Sequence, residues 1–431
     1  MTKRHFDRNK RVAFWGTAGL FLPLLFPWPG VSSINTVFLG YYLPSGFLFS
    51  LLMAIVIGIY IVMRKRKGFL NLPSLFVGQF LFMTLFFFMF GIFSLVQASS
   101  DGRISRSFVQ LLYFSVPYYY ASGVIAVCLA RGISVKLLVR YSVLASLTYI
   151  IVVLLYNVIE YNVPFSGLAL YAPGGQVVLG YTICMLAALV FFAKSECGTN
   201  WWYKLAVVLL VLCGILTQSR VATWATLAIG VLCLFPRKRA DLAVLFGLGV
   251  VIALVAVDPF GMIFNYSERL YSFDSGRFQT WDSAISSFSS SEFIYKCIGY
   301  GVGNVFPILD WQTGLQFQTV VRGDADGAWN SFYFLGHVML VEPHNCFIWL
   351  LLETGLLGLV SFSSYLIYLG VSYFRREDTG MRSGLLIVVT FVLVNFFDAT
   401  IFCNAISGTW WCIVLLPIVL ASIKREKEPI Q

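Results

Sequence analysis

The sequence predicts an all-α polytopic membrane protein of about twelve transmembrane helices with one large loop on the outer side. Three observations lead there. Of the 431 residues, 59% are hydrophobic and only 12% charged, with a mean hydropathy of +0.82, well above the roughly half-apolar balance of soluble domains. Apolar runs long enough to cross ~30 Å of hydrocarbon recur along the whole chain. They replace the three or so soluble domains that length alone would suggest with a single bundle. The basic residues, finally, sit in short clusters between those runs and favour one side.

The first span is expected at 12–29. The basic stretch before it, MTKRHFDRNKR at Met1–Arg11, leads into an apolar run carrying Pro23, Pro27 and Pro29 with no small-residue cleavage site, so a retained segment is expected rather than a cleaved signal peptide. Further spans are expected at 46–63, 73–96, 107–129, 141–159, 176–193, 203–217, 221–235, 242–257, 346–372, 384–402 and 409–422. The runs at 203–217 and 221–235 are short enough to be tilted or broken.

With the N-terminus in the cytoplasm, 23 of the 30 basic residues fall on the cytoplasmic side, among them the RKRK run at 64–67. The outer side receives Arg103, Arg106, Arg220, Arg269, Arg277, Lys296 and Arg322. This is the asymmetry of the positive-inside rule, and twelve spans return the C-terminus to the cytoplasm. The formal charge of +10 is therefore a topology signal. It forms no long basic stripe with interleaved aromatics, which argues against nucleic acid as a partner.

Between the ninth and tenth spans lies a polar insertion, Asp258–Pro343. The chain divides accordingly into 1–257, with nine helices, 258–343, the large loop, and 344–431, with three more helices. A loop of that length in a compact protein is usually functional or disordered. Its aromatics, including Tyr266, Tyr271, Phe273, Trp281, Phe288, Trp311 and Trp329, favour an ordered cap, helical around Arg277–Phe288, because disordered segments lack such residues.

Nine cysteines are scattered singly. Cys128, Cys184, Cys213, Cys233 and Cys412 fall inside apolar runs, where a thiol acts as a small hydrophobe. No CxxC metal site or disulfide framework is present. Cys297, Cys346 and Cys403 are expected near the outer surface, and spacing alone does not pair them.

Few residues suit chemistry. Of three histidines, His5 lies in the N-terminal tail and His337 and His344 close the outer loop. In VEPHNCFIWLLLETGLLGL, Val341–Leu359, His344 stands at the mouth of a span and reads either as a proton acceptor or as a helix anchor. Glu353 lies about 13 Å deeper along a regular helix and near the opposite azimuth. An intramembrane carboxylate is functional by default, yet Gly355 and Gly358 beside it favour close helix packing. Arg220, in LTQSRVATWA, interrupts two apolar runs at their outer junction. Its guanidinium suits phosphate oxygens and equally suits a snorkelling interfacial role. Arg277, in SGRFQTW, also reads as an ordinary surface residue. Topology places Arg220, Arg277 and His344 on one membrane face.

Two motifs are set aside. GYGVG at 299–303 follows no Rossmann strand and lacks the dinucleotide spacing, so tight turns account for it. GDADG at 323–327 lacks the further ligands of a calcium loop and reads as a turn. No metal and no cofactor are expected.

A resemblance then enters. Gly276-Arg277 with Trp281 four residues later, Gly299-Tyr300-Gly301-Val302-Gly303-Asn304, Pro343-His344-Asn345 followed by Glu353-Thr354-Gly355-Leu356-Leu357-Gly358-Leu359, and the earlier Thr217-Gln218-Ser219-Arg220 together resemble the bacterial O-antigen polymerase and O-antigen ligase superfamily. The likeness is specific over residues 217–359. It implies a GT-C-like, lipid-carrier-dependent membrane glycosyltransferase of the bacterial inner membrane, with both termini cytoplasmic and the active site on the periplasmic side.

On that resemblance the donor is a glycan linked to undecaprenyl pyrophosphate and the acceptor a glycan lipid, with a chain-length regulator protein as a further partner. Arg220 and Arg277 would bind the pyrophosphate and stabilise its departure, His344 would orient or deprotonate the acceptor hydroxyl, Asn345 would support binding, and Glu353 and Trp281 would be supporting residues. Transfer would be metal-independent and inverting. Polymerisation of repeat units is the preferred reading. Ligation to lipid A core is the alternative within the class, and a polysaccharide-lipid transporter or flippase is the alternative outside it.

Overall fold

The computed structural model describes residues 3–25, 35–38, 41–65, 72–100, 104–131, 133–161, 170, 176–197, 201–217, 219–233, 277–305, 331–334, 337–340, 344–374, 383–398 and 406–427. The helices in chain order are α1 (Lys3–Phe21), α2 (Ser45–Lys65), α3 (Ser74–Ser100), α4 (Ile104–Ala130), α5 (Val135–Tyr161), α6 (Gln176–Cys197), α7 (Trp201–Leu216), α8 (Arg220–Leu232), α9 (Arg277–Ser290), α10 (Phe293–Ile298), α11 (Cys346–Phe374), α12 (Gly384–Phe396) and α13 (Ser407–Lys427). Five stretches are long and apolar enough to cross a membrane: Ser74–Gln97, Ser107–Ala130, Val135–Ile159, Val177–Cys197 and Cys346–Phe374. Six shorter apolar stretches lie in α1 and its 3-10 extension and in α2, α7, α8, α12 and α13. The span expected at 242–257 lies outside the described residues.

Several boundaries differ from expectation for identifiable reasons. Helix α1 starts inside the basic tail, and its α-helical part stops at Phe21, where a 3-10 turn, Leu22–Leu25, takes over around Pro23. Proline lacks the amide proton that a continuing helix needs. The span expected at 384–402 ends at Phe396, with Phe397 capping it and Asp398 beyond. Helix α8, with 13 residues, is only ~20 Å long, less than a hydrocarbon core.

Two β-hairpins also depart from the purely helical expectation. Strand β1 (Asn35–Phe38) pairs antiparallel with β2 (Tyr41–Pro44), and β3 (Ser331–Phe334) with β4 (His337–Leu340). Both are joined by the dipeptide Leu-Gly, at 39–40 and at 335–336. A two-residue connection containing glycine between aromatic and β-branched residues is a hairpin signal.

The core centres on α6, which is apolar all round and buried all round: from Ile183 to Leu189 no side chain exceeds 0% exposure. Around it pack α5, α7, α8, α12 and α13, while α4 joins α2, α3 and α13. Trp410 Nε1 donates to Thr182 Oγ1 at 3.3 Å, and Thr409 Oγ1 to the Leu20 carbonyl at 2.9 Å, so α13 ties α6 to α1. The outer helices invert the soluble pattern. On α3, Leu81, Leu85, Phe88, Ile92 and Val96 face outward at helical spacing. An apolar outward belt of that kind is matched to lipid rather than to water.

Candidate functional site

Helix α11 begins with an unusual start. His344 has φ 47°, a left-handed conformation that costs a residue other than glycine roughly 1–2 kcal/mol. The next residue offsets part of that cost. Asn345 Oδ1 accepts from the amides of Phe347 (2.9 Å) and Ile348 (3.1 Å), and its carbonyl accepts from Trp349 at 3.0 Å. Asn345 is thus a buried N-cap, which satisfies amides that would otherwise lack partners.

The turn leaves the His344 side chain 45% exposed, with Nδ1 3.6 Å from Oδ1 of Asp398, itself 12% exposed. A closure of a few tenths of an ångström would make this a hydrogen bond. Asp398 is held from behind: the preceding carbonyl, Phe397 O, accepts from Tyr181 Oη of α6 at 3.3 Å. Asp398 was missed in the sequence, where it lay within an expected apolar span. A carboxylate in such a run is the signal that identifies it.

The remaining predicted residues stand at the same end of the bundle. Trp281, one turn into α9, packs edge-to-face on Phe396 (5.6 Å between centroids), and Phe396 also meets Phe347 at 6.5 Å. These aromatics join α9, α12 and α11 beside the His344–Asp398 pair. Arg277 is the first residue of α9. Arg220 is the first residue of α8, preceded by Ser219 in an extended conformation. That end of α8 lies against α6, since a Cβ on Gly180 would stand 2.8 Å from Ala222 Cβ and 2.9 Å from Ser219 Cβ. Gly180 adjoins Tyr181, so the start of α8 and the end of α12 are linked through one turn of α6.

Glu353 is 1% exposed and marks an irregularity. At Gly355 (φ 67°, ψ −171°) α11 breaks into an outer and an inner half. The break frees the carbonyls of Leu352 and Glu353, which accept instead from the amides of Tyr300 and Gly301, each at 2.9 Å. GYGVG is indeed a run of turns, with Gly299, Gly301 and Gly303 all at positive φ. It is also a docked wedge. Gln97 Nε2 donates to Gly299 O (2.8 Å), Ser107 Oγ to Val302 O (2.6 Å), and Val302 N to Ser94 Oγ (2.7 Å). The wedge therefore fixes the outer half of α11, which carries His344, to α3 and α4.

Cys297 and Cys346 carry free thiols, and Cys403 lies outside the described residues, as does GDADG. Among the described residues no three of His, Cys, Asp and Glu gather as a metal site would require. Chemically, the arrangement offers an imidazole with one nitrogen turned to a carboxylate and the ring open to the exterior, near two helix starts that carry arginines. No protein-family model matches this chain, and no curated protein matches it in sequence.

Proposed function

We propose that the chain is a membrane glycosyltransferase that polymerises undecaprenyl-pyrophosphate-linked oligosaccharide repeat units into a surface polysaccharide. The observation that carries this reading is the gathering of His344, Asp398 and the helix starts at Arg220 and Arg277 at one end of an apolar helical bundle. The sequence resemblance over 217–359 supports it. The chain would cross a bacterial inner membrane twelve times in a GT-C-like arrangement, both termini in the cytoplasm and this end in the periplasm. Described helix α8 ends at the end opposite Arg277, where Lys194 Nζ at the foot of α6 donates to Cys233 O. The apolar run at 242–257 would be the ninth span of that topology.

In this reaction the acceptor hydroxyl attacks the anomeric carbon, the bond from that carbon to the pyrophosphate oxygen breaks, and undecaprenyl pyrophosphate departs. His344, with Nδ1 toward Asp398, takes the hydroxyl proton on Nε2 and passes it to water. Asp398 selects the tautomer and favours the transient imidazolium. Arg220 and Arg277 offset the negative charge of the leaving group, a task that two guanidiniums perform without a metal. A single displacement inverts the anomeric centre.

The test uses purified protein in detergent with EDTA and a synthetic undecaprenyl pyrophosphate repeat unit. Wild type is expected to build a ladder of glycan lengths and His344→Ala none. Transfer only when lipid A core is supplied would make the protein a ligase. No transfer to any acceptor would overturn the enzyme reading in favour of a transporter. Retention of anomeric configuration, seen by NMR of the product, would remove the single displacement.

A further inference from the structure

Helix α10 has only six residues and is far too short to cross a membrane, yet it presents Phe293 at 81% and Ile294 at 52% exposure. Phe293 is the most exposed large apolar side chain among the described residues. A single exposed apolar residue is ordinary. Two adjacent ones, left in water, would forfeit the gain that burial brings.

Depth decides what covers them. Three apolar stretches end at the glycine wedge that follows α10. The stretch Ser74–Gln97 stops at Gln97, whose Nε2 donates to Gly299 O, and Ser107–Ala130 begins at Ser107, whose Oγ donates to Val302 O. The inner half of α11 also reaches it. From Phe374 to the break at Gly355 it measures ~30 Å, one hydrocarbon thickness, and a Cβ on Gly355 would strike the Cys297 carbonyl at the end of α10. The wedge therefore marks the outer edge of the hydrocarbon. Helix α10 runs directly into it at Gly299 and is ~9 Å long. Phe293 and Ile294 thus stand within about 10 Å of that edge, in the zone where interfacial helices bury an apolar face.

The surroundings suit that depth. Helix α10 packs on α11, and just past the break Leu356, Leu357 and Val360 are about half-exposed, so the exposed apolar pair adjoins the lipid-facing belt. Beside the pair, Tyr295 stacks on Tyr300 at 4.6 Å, Tyr300 Oη shares a 2.6 Å hydrogen bond with Ser291 Oγ, and Lys296 is partly buried. Tyrosine and lysine, with apolar bodies and polar tips, are residues of the membrane interface.

We propose that α10 is a foot of the outer loop set into the outer leaflet, with Phe293 and Ile294 among the upper acyl carbons and Tyr295, Lys296 and Tyr300 at headgroup level. The foot fixes α9, which precedes it, against the membrane as well as against the bundle. The inference rests on the chain crossing a membrane and is independent of glycosyl transfer.

The test places a genetically encoded fluorescent amino acid at position 293 of the full-length protein in phosphatidylcholine nanodiscs. Quenching by a nitroxide near the top of the lipid acyl chain is compared with quenching by aqueous iodide. The ratio of lipid to iodide quenching at position 293 is expected to exceed that at Ser290, an exposed residue of α9, by about threefold or more and to approach that at Val360. Replacement at Ile294 gives the same reading where replacement at Phe293 prevents folding. A smaller excess over Ser290 would overturn the proposal. Loss of quenching by both agents, as a second copy or another protein segment seated on the foot would cause, would overturn it too. A ratio at Val360 as low as at Ser290 would overturn the membrane crossing and the foot together, whatever the transferase assay shows.

Discussion

At the scale of single residues, the His344–Asp398 pair explains why a histidine accepts a left-handed backbone at the mouth of a span. The turn aims Nδ1 at a carboxylate just past the end of α12 and leaves the ring open outward. Under the proposed mechanism, Asp398→Asn is expected to lower the turnover number about a hundredfold or more with little change in thermal stability or substrate KM. Asp398→Glu is expected to recover part of it. Equal turnover in wild type and Asp398→Asn, measured by release of undecaprenyl pyrophosphate, would refute that role. Asn345 has a different duty. Asn345→Ala removes an N-cap and is expected to cost about 1 kcal/mol of stability, read from thermal unfolding. Asn345→Asp, which keeps the cap, is expected to be mild.

At the scale of elements, the broken helix α11 and the glycine wedge form one unit. A carbonyl in the membrane needs a donor, and the two freed at the break find the amides of Tyr300 and Gly301. The approach is close enough to exclude side chains. A Cβ on Gly299 would strike the Glu353 backbone, and one on Gly355 would strike the Cys297 carbonyl, both at positive φ. Gly355→Ala and Gly299→Ala are each expected to destabilise the protein by about 2–4 kcal/mol, measured as a lower unfolding midpoint in detergent. The double variant is expected to lose less than the sum, because both disrupt one contact. Strict additivity would show that the wedge and the break are independent.

At the scale of the whole molecule, the prediction is sidedness. Probes at Lys10 of α1 and at Ser290 of α9, both exposed, are expected on opposite faces of the membrane. Single-cysteine variants at these positions, in a background lacking the native cysteines, are expected to react with an impermeant thiol reagent from opposite sides of oriented vesicles. Labelling of both from one side would dismantle the topology and the placement of the candidate site with it. Much of this scale was legible from hydropathy and charge. Eleven of the twelve expected runs correspond to described apolar helices, five of them long enough to cross a membrane, and basic-residue asymmetry alone sets Arg220, Arg277 and His344 on one face of the expected topology.

What the sequence by itself determined is a set of local sums: which stretches are apolar enough for hydrocarbon, and where basic residues anchor their ends. The Leu-Gly connections of the two hairpins were equally local and went unread among stronger helical signals. Tertiary structure alone decided that Asp398 meets His344, that Tyr181 steadies the chain beside that carboxylate, and that GYGVG seats in a helix broken at Gly355. The physical reason is that a hydropathy run specifies a helix and its depth but neither its neighbour nor its rotation. Those follow from close packing of side chains contributed by distant parts of the chain.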